Sequence, residues 1–148
     1  SDKYFTREQK GHFLTMDRRE AFDFGESTSN IYALSPDTEI AEYSHGEIHI
    51  SAHGYGKGRG VYLAGLPYSH ENTRLLMRSL YYSARKEERL KRWFSQNPLC
   101  EVHAYPETGK YAVVNNSPAP QETAVYDGQG NARQIRLEGC QILWESIN

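Results

Sequence analysis

Gly54-Tyr-Gly-Lys-Gly-Arg-Gly60, followed by Val61-Tyr-Leu-Ala-Gly-Leu66, Pro67-Tyr-Ser69 and a run from His70 to Ala84, sets the organisation of this chain. It reads as a glycine-rich turn, a buried strand, a tight corner and a helix, because an apolar run of strand length gives way to Leu75, Leu76 and Leu80 at helical spacing. Ser69 is placed to cap the helix, and Pro67 ends the strand because it cannot donate to a ladder. The three leucines, with Ser79 and Ser83, predict the face laid on a sheet, leaving Arg74, Arg78 and Arg85 to point outward or snorkel.

Working outward, Glu47-Ile-His-Ile-Ser-Ala52 alternates, with Ile48, Ile50 and Ala52 on one face and Glu47, His49 and Ser51 on the other. The glycine loop then joins it to Val61–Leu66 as an antiparallel hairpin. Asn30–Leu34 and Glu39–Tyr43 read as two more strands, separated by the turn at Ser35-Pro36-Asp37. Residues 4–26 scatter Phe5, Phe13, Leu14, Phe22 and Phe24 among charges and show no period.

Beyond Ala84, Arg85–Phe94 predicts a polar helix carrying Leu90, Trp93 and Phe94, stopped by Asn97-Pro98. After Cys100 the helical period disappears. Five short strands are predicted, Glu101–Tyr105, Lys110–Asn115, Glu122–Tyr126, Ala132–Leu137 and Gln141–Trp144, as in a small antiparallel β-sandwich. Its predicted core is Val113, Val125, Ile135, Leu137 and Trp144. The expected division is therefore 1–97, the end of an α/β domain, and 98–148, a small all-β domain; Trp93 and Phe94 are expected to dock one on the other, with packing back on the α/β sheet as the alternative. Only one strand-to-helix unit precedes the β part, so either the N-terminal residues contribute in ways their pattern does not show or the chain is the tail of something longer; a start at Ser1 rather than Met fits a fragment or a processed product.

The 148 residues are 38% hydrophobic and carry a formal net charge of −2, with a pI near 6.3. This balance supports a packed core and disfavours nucleic acid or an acidic membrane as partner. Cys100 and Cys140 lie far apart without metal-ligand spacing, so two free thiols in a reducing compartment are expected. No apolar run approaches the roughly 20 residues of a membrane span, and a cytoplasmic location is expected.

Chemistry-bearing patterns are weak. The glycine loop lacks the third glycine of a dinucleotide fingerprint, Lys57 is followed by Gly58 rather than Ser or Thr, and the loop precedes a strand instead of following one. A hairpin that needs glycine for positive φ is the plainer reading. His45, His49 and His53 stand four apart, but on a strand His49 and His53 would lie about 13 Å apart, too far for one ion. Ser69 is explained by capping and does not form a nucleophile elbow. The carboxylates Glu87 and Glu88, and Asp23 with Glu26, cannot be placed as an acid and base pair. The 11 tyrosines could line a sugar site or be half-buried strand residues.

Three long stretches resemble one family. They are Asn30–Ser35 with Asp37–Ile40, Tyr55–Ser69 with Glu71–Leu76, and Ala104–Ser117 with Cys100-Glu-Val and Val125-Tyr-Asp-Gly-x-Gly130. Together they are similar to the C-terminal third of the 1,3-β-galactosyl-N-acetylhexosamine phosphorylases, also called galacto-N-biose/lacto-N-biose phosphorylases. The resemblance implies a parent with an N-terminal (β/α)₈ catalytic barrel, a central α/β domain related in fold to glutamine-amidotransferase-like domains, and a small C-terminal β domain. It implies an α+β class for this chain: a remnant of the central domain, then the β-sandwich. The implied parent reaction is reversible, inverting phosphorolysis of a β-1,3-galactoside to α-galactose 1-phosphate and N-acetylhexosamine, without a cofactor. The general acid and phosphate-binding residues belong to the barrel, so the resemblance carries no catalytic, cofactor-binding or metal-binding residue to any position here. The implied partners are the barrel and a second copy in a homodimer, with an independent carbohydrate-binding or interaction module as the alternative.

Overall fold

A computed structural model describes residues 4–147. The chain divides into two compact units between Glu87 and Glu88.

The first unit is built on an antiparallel sheet in the order β1 (Glu39–Ser44), β2 (Glu47–Tyr55) and β3 (Gly58–Leu63). The predicted hairpin forms, and it is tighter than the glycine run suggested. Gly54 and Tyr55 belong to β2, Gly58 to Gly60 belong to β3, and Tyr55 pairs with Gly58 across Gly56 and Lys57. Gly56 takes φ 56°, the left-handed value that a side chain resists. Arg85 ties the tip down, with Nε donating to the Lys57 carbonyl at 3.1 Å and Nη2 to the Gly58 carbonyl at 3.3 Å.

At the corner after β3, a Cβ added to Gly65 would stand 2.0 Å from the carbonyl oxygen of Phe24, so only glycine allows this approach. The helix α1 (His70–Ser83) then starts as expected, the Ser69 hydroxyl accepting from the Asn72 amide at 3.0 Å.

Its buried stripe is not the leucine stripe. Leu75 is fully buried, but Leu76 and Leu80 are 43% and 64% exposed, while Glu71, Asn72, Arg74, Arg78, Ser79 and Tyr82 are buried. The reason is that backbone groups distant in sequence take up these polar side chains. Glu71 Oε1 accepts from the Arg19 and Glu20 amides, Asn72 Nδ2 donates to the carbonyls of Asp23 and Pro67, and Arg78 Nε donates to the Leu14 carbonyl at 3.0 Å. The irregular N-terminal segment presents bare backbone groups, and a polar helix face answers them.

That segment also fills the core. Leu14, in a single 3-10 turn at Phe13–Thr15, and Phe22 pack with Ala41, Ile50, Ala52, Leu75 and Tyr82. Ile48 falls in a separate cluster with Ala33 and Ile40, and His49 is buried. The expected apolar face of β2 is buried at Ile48, Ile50 and Ala52, with Glu47 and Ser51 half-buried; His49 alone departs from the alternation, next to register shifts between Ile40 and Glu42 and between Glu42 and Tyr43 in the β1–β2 ladder. Residues 30–34 form no strand; Ala33 makes an isolated bridge to Phe5.

The predicted helix over Arg85–Phe94 is replaced by a 3-10 turn at Glu87–Arg89 and the short strand β4 (Phe94–Ser95). Trp93 adopts φ 48°, outside any right-handed helix. Phe94 pairs with Tyr126, so Trp93 and Phe94 belong to the second unit's own packing, where the sequence placed them in a docking helix before residue 97.

The second unit has two three-stranded antiparallel sheets, with β5 (Cys100–Tyr105), β6 (Lys110–Asn115), β7 (Gln121–Tyr126), β8 (Ala132–Leu137) and β9 (Ile142–Ser146). One sheet runs β4-β7-β8 and the other β5-β6-β9. They share one core of Cys100, Tyr111, Val113, Val125 and Leu137, with Ile135 and Leu143 packed against it. Trp144 was predicted for this core but is 57% exposed. It pairs with Ala112, while its neighbour Leu143 pairs with Val113, so the pleat turns Leu143 inward and Trp144 out beside Tyr105.

Candidate functional site

Two arrangements of side chains stand out, one in each unit. In the first, Glu39 Oε1 on β1 accepts hydrogen bonds from the Tyr82 hydroxyl on α1 and from His12, whose Nε2 is 2.9 Å away. The Leu14 amide donates to His12 Nδ1 at 3.1 Å, which fixes the tautomer with the proton on Nε2. Arg59 on β3 lies 4.0 Å over the Tyr82 ring, with Nη1 2.9 Å from Glu87 and 3.0 Å from the Tyr82 carbonyl it donates to.

Burial pushes the Glu39 carboxyl up, but the hydrogen bonds from Tyr82 and His12 and the charge of Arg59 outweigh it and hold it below its ordinary 4.5. Burial, then the bond to Glu39, pushes the Tyr82 phenol up to about 12. At neutral pH the carboxylate is thus charged and the phenol protonated. The group is a latch that joins the N-terminal segment, β1, β3 and α1, not a poised acid and base pair.

The second arrangement is a cavity of about 360 Å³ in the second unit, walled by Trp93, Tyr111, Asp127, Gln129, Arg133 and Glu145 among others. Arg133 projects from β8, Tyr111 from β6 and Glu145 from β9, so side chains of both sheets converge there. Arg133 Nη2 stands 2.9 Å from Glu145 Oε1 and donates to the Tyr111 hydroxyl at 3.2 Å. The bond to Glu145 holds the Arg133 guanidinium above its ordinary range.

Asp127 opens the β7–β8 connection and accepts from the Gln129 and Asn131 amides at 2.8 and 2.9 Å. The Asn131 amide, then Gln129, hold its exposed carboxyl below the usual range. The Trp93 amide donates to the Asp127 carbonyl at 3.2 Å, and the indole is seated so closely on Gly128 that a Cβ there would meet the ring at 2.7 Å. Trp93 and Tyr111 are tilted at 48° with centroids 5.2 Å apart.

The residues weighed in the sequence do not come together. Ser69 caps α1, and Lys57 and Arg59 serve the hairpin and the latch. His49 is buried, its Nδ1 2.7 Å from Glu42 and 3.1 Å from the Ser44 hydroxyl; His45 occupies a turn and His53 is exposed. Asp23 closes a turn onto the Gly25 amide. Among the described residues no group of three or more His, Cys, Asp or Glu could hold a metal ion, and no helix is long and apolar enough to cross a membrane. The cavity was missed because its members come from separate strands, and Trp93 was assigned to a helix.

Family models match in two consecutive parts: a lacto-N-biose phosphorylase central domain over residues 1–88 and a lacto-N-biose phosphorylase C-terminal domain over residues 93–145. Two 1,3-beta-galactosyl-N-acetylhexosamine phosphorylases of Lachnoclostridium phytofermentans are similar to the chain. One is 44% identical over 99% of it and the other 41% identical over 97%, each covered to 20% of its own length. The 1,3-beta-galactosyl-N-acetylhexosamine phosphorylase of Bifidobacterium longum is 35% identical over 97% of the chain, which covers 23% of that relative. The chain spans about a fifth of the length of the curated relatives it matches.

Proposed function

This chain belongs to the lacto-N-biose phosphorylase family, and from that premise we propose that it is the non-catalytic C-terminal region of an inverting galactosyl phosphorylase. The whole enzyme, a glycosyltransferase without a cofactor, converts a β-1,3-galactosyl-N-acetylhexosamine and phosphate to α-galactose 1-phosphate and N-acetylhexosamine. Its acid and phosphate clamp belong to an N-terminal barrel. The first unit is then a remnant of an amidotransferase-like α/β domain, and the second is the closing β-sandwich. Together they support the barrel and a cytoplasmic homodimer.

The observation that carries this reading is the order and extent of the matches: central domain, then C-terminal domain, over nearly the whole chain but only a fifth of each relative. The exposed Leu76 and Leu80 on α1 add support, since an apolar stripe of this kind is a surface for a neighbouring part to cover.

Produced alone, the chain is expected to be inactive, because phosphorolysis needs a positioned acid and a phosphate clamp. Incubation with galacto-N-biose or lacto-N-biose and phosphate, followed by assay of galactose 1-phosphate, tests this. Release above a heat-killed control overturns the reading.

A further inference from the structure

We propose that the cavity of the second unit is a binding site for a neutral hexose residue, with Trp93 as its apolar wall and Arg133, Glu145 and Asp127 as its hydroxyl-directed groups. A sugar ring offers apolar C–H faces and a rim of hydroxyls. A cavity that recognises it needs an aromatic surface together with planar side chains able to donate and accept in pairs. The cavity brings together these groups, at a volume of about 360 Å³. That lies toward the small end of the range of about 300 to 1,000 Å³ in which small ligands sit.

Charge selects among the alternatives. Two carboxylates, Asp127 and Glu145, face one guanidinium, and Arg133 is already paired with Glu145 at 2.9 Å. A phosphate or carboxylate ligand would meet a net negative wall, and an apolar ligand would strip water from three charged groups without replacing it. A neutral polyol does neither.

The walls are also set in place before any ligand arrives. Trp93 is held at φ 48°, a conformation costly for a bulky residue, by the hydrogen bond its amide donates to the Asp127 carbonyl and by its seat on Gly128. Asp127 closes its own loop, and Arg133 is fixed to both Tyr111 and Glu145. Preorganised groups lose little freedom when they bind. The proposal does not rest on phosphorolysis, because every residue it uses lies in the second unit, and its test is read without turnover.

The test uses the full chain with Trp144→Phe, which leaves Trp93 as the single tryptophan. Its emission is followed while methyl β-galactoside or galactosyl-β-1,3-N-acetylglucosamine is added, with inorganic phosphate and galactose 1-phosphate as anionic arms. The expected result is saturation by a neutral sugar with a dissociation constant of about 1 mM. Glu145→Gln and Gln129→Ala, both with an unchanged circular dichroism spectrum, should weaken binding by about tenfold and a few-fold respectively. No saturation by either neutral sugar at about 50 mM overturns the proposal, since that is weaker than a built site gives. So does saturation by phosphate at equal or lower concentration, or sugar binding indifferent to both variants.

Discussion

The hydroxyl of Tyr82 and the carboxylate of Glu39 share one proton-donor contact that fastens α1 to β1. It gives the first unit a stability profile bounded on two sides. Glu39 is held below 4.5, so its contribution is complete above that value and is lost as pH falls through the lower native one. Tyr82 is pushed up to about 12 from 10, so its contribution is complete below pH 10 and is lost as pH rises toward 12. Tyr82→Phe should flatten the alkaline limb between pH 10 and 12 and lower stability at pH 7 by about 1 kcal/mol. Urea unfolding at a series of pH values checks this; an alkaline limb as steep as the parent's would remove Tyr82 as its source.

Helix orientation gives a sharper contrast. Leu75→Ala should cost about 2 to 5 kcal/mol, because it opens a cavity beside Ile50 and Leu14. Leu80→Ala, at a 64% exposed position, should stay within about 0.5 kcal/mol in the isolated chain. Comparable losses from both would mean that α1 presents the leucine stripe inward after all.

In the second unit, Leu137→Ala should destabilise by about 2 to 5 kcal/mol, and Trp144→Ala by less than about 1 kcal/mol. Leu137 is fully buried, while Trp144 lies on the outer face of β9. Thermal unfolding of the two variants decides the register of β9, since a shift by one residue would exchange Trp144 with Leu143.

Gly65→Ala should destabilise by about 1 to 3 kcal/mol or more, because the new methyl group must displace the Phe24 backbone. Gly60→Ala is the matched control: nothing lies within 4 Å of its Cβ position and its φ is ordinary. Equal melting temperatures for the two variants would contradict the close approach at the corner.

What the sequence made legible were elements whose signals are local. Gly56 with its flanking alternation marked the hairpin, Ser69 marked the start of α1, and the limits of β6 and β8 could be read from turn residues on either side. What it hid depended on distant partners. Arg78 looked like an outward or snorkelling charge, yet the whole residue is buried and its Nε donates to the Leu14 carbonyl, 64 positions earlier. Burial pulls its guanidinium down to about 10, still charged at neutral pH. Trp93 looked helical because its neighbours are good helix formers, and only the Asp127 carbonyl and Gly128 account for its left-handed backbone. The cavity was hidden for the same reason, as no spacing rule links positions 93, 111, 127, 133 and 145.

Among the described residues, β8 closes the β4-β7-β8 sheet at one side, which leaves a row of backbone groups without a neighbouring strand. Rows of this kind invite an arriving chain to add itself, the first step toward fibres. Along β8, Arg133, Gln134 and Arg136 are exposed, and Arg136 Nη2 lies 3.4 Å from Glu138. A strand approaching this edge would have to strip water from two guanidinium groups, whereas a sugar in the cavity beside it would need only the outer hydrogen-bonding positions of Arg133. The same arginine-bearing strand can therefore stay open to a small solute while refusing another polypeptide.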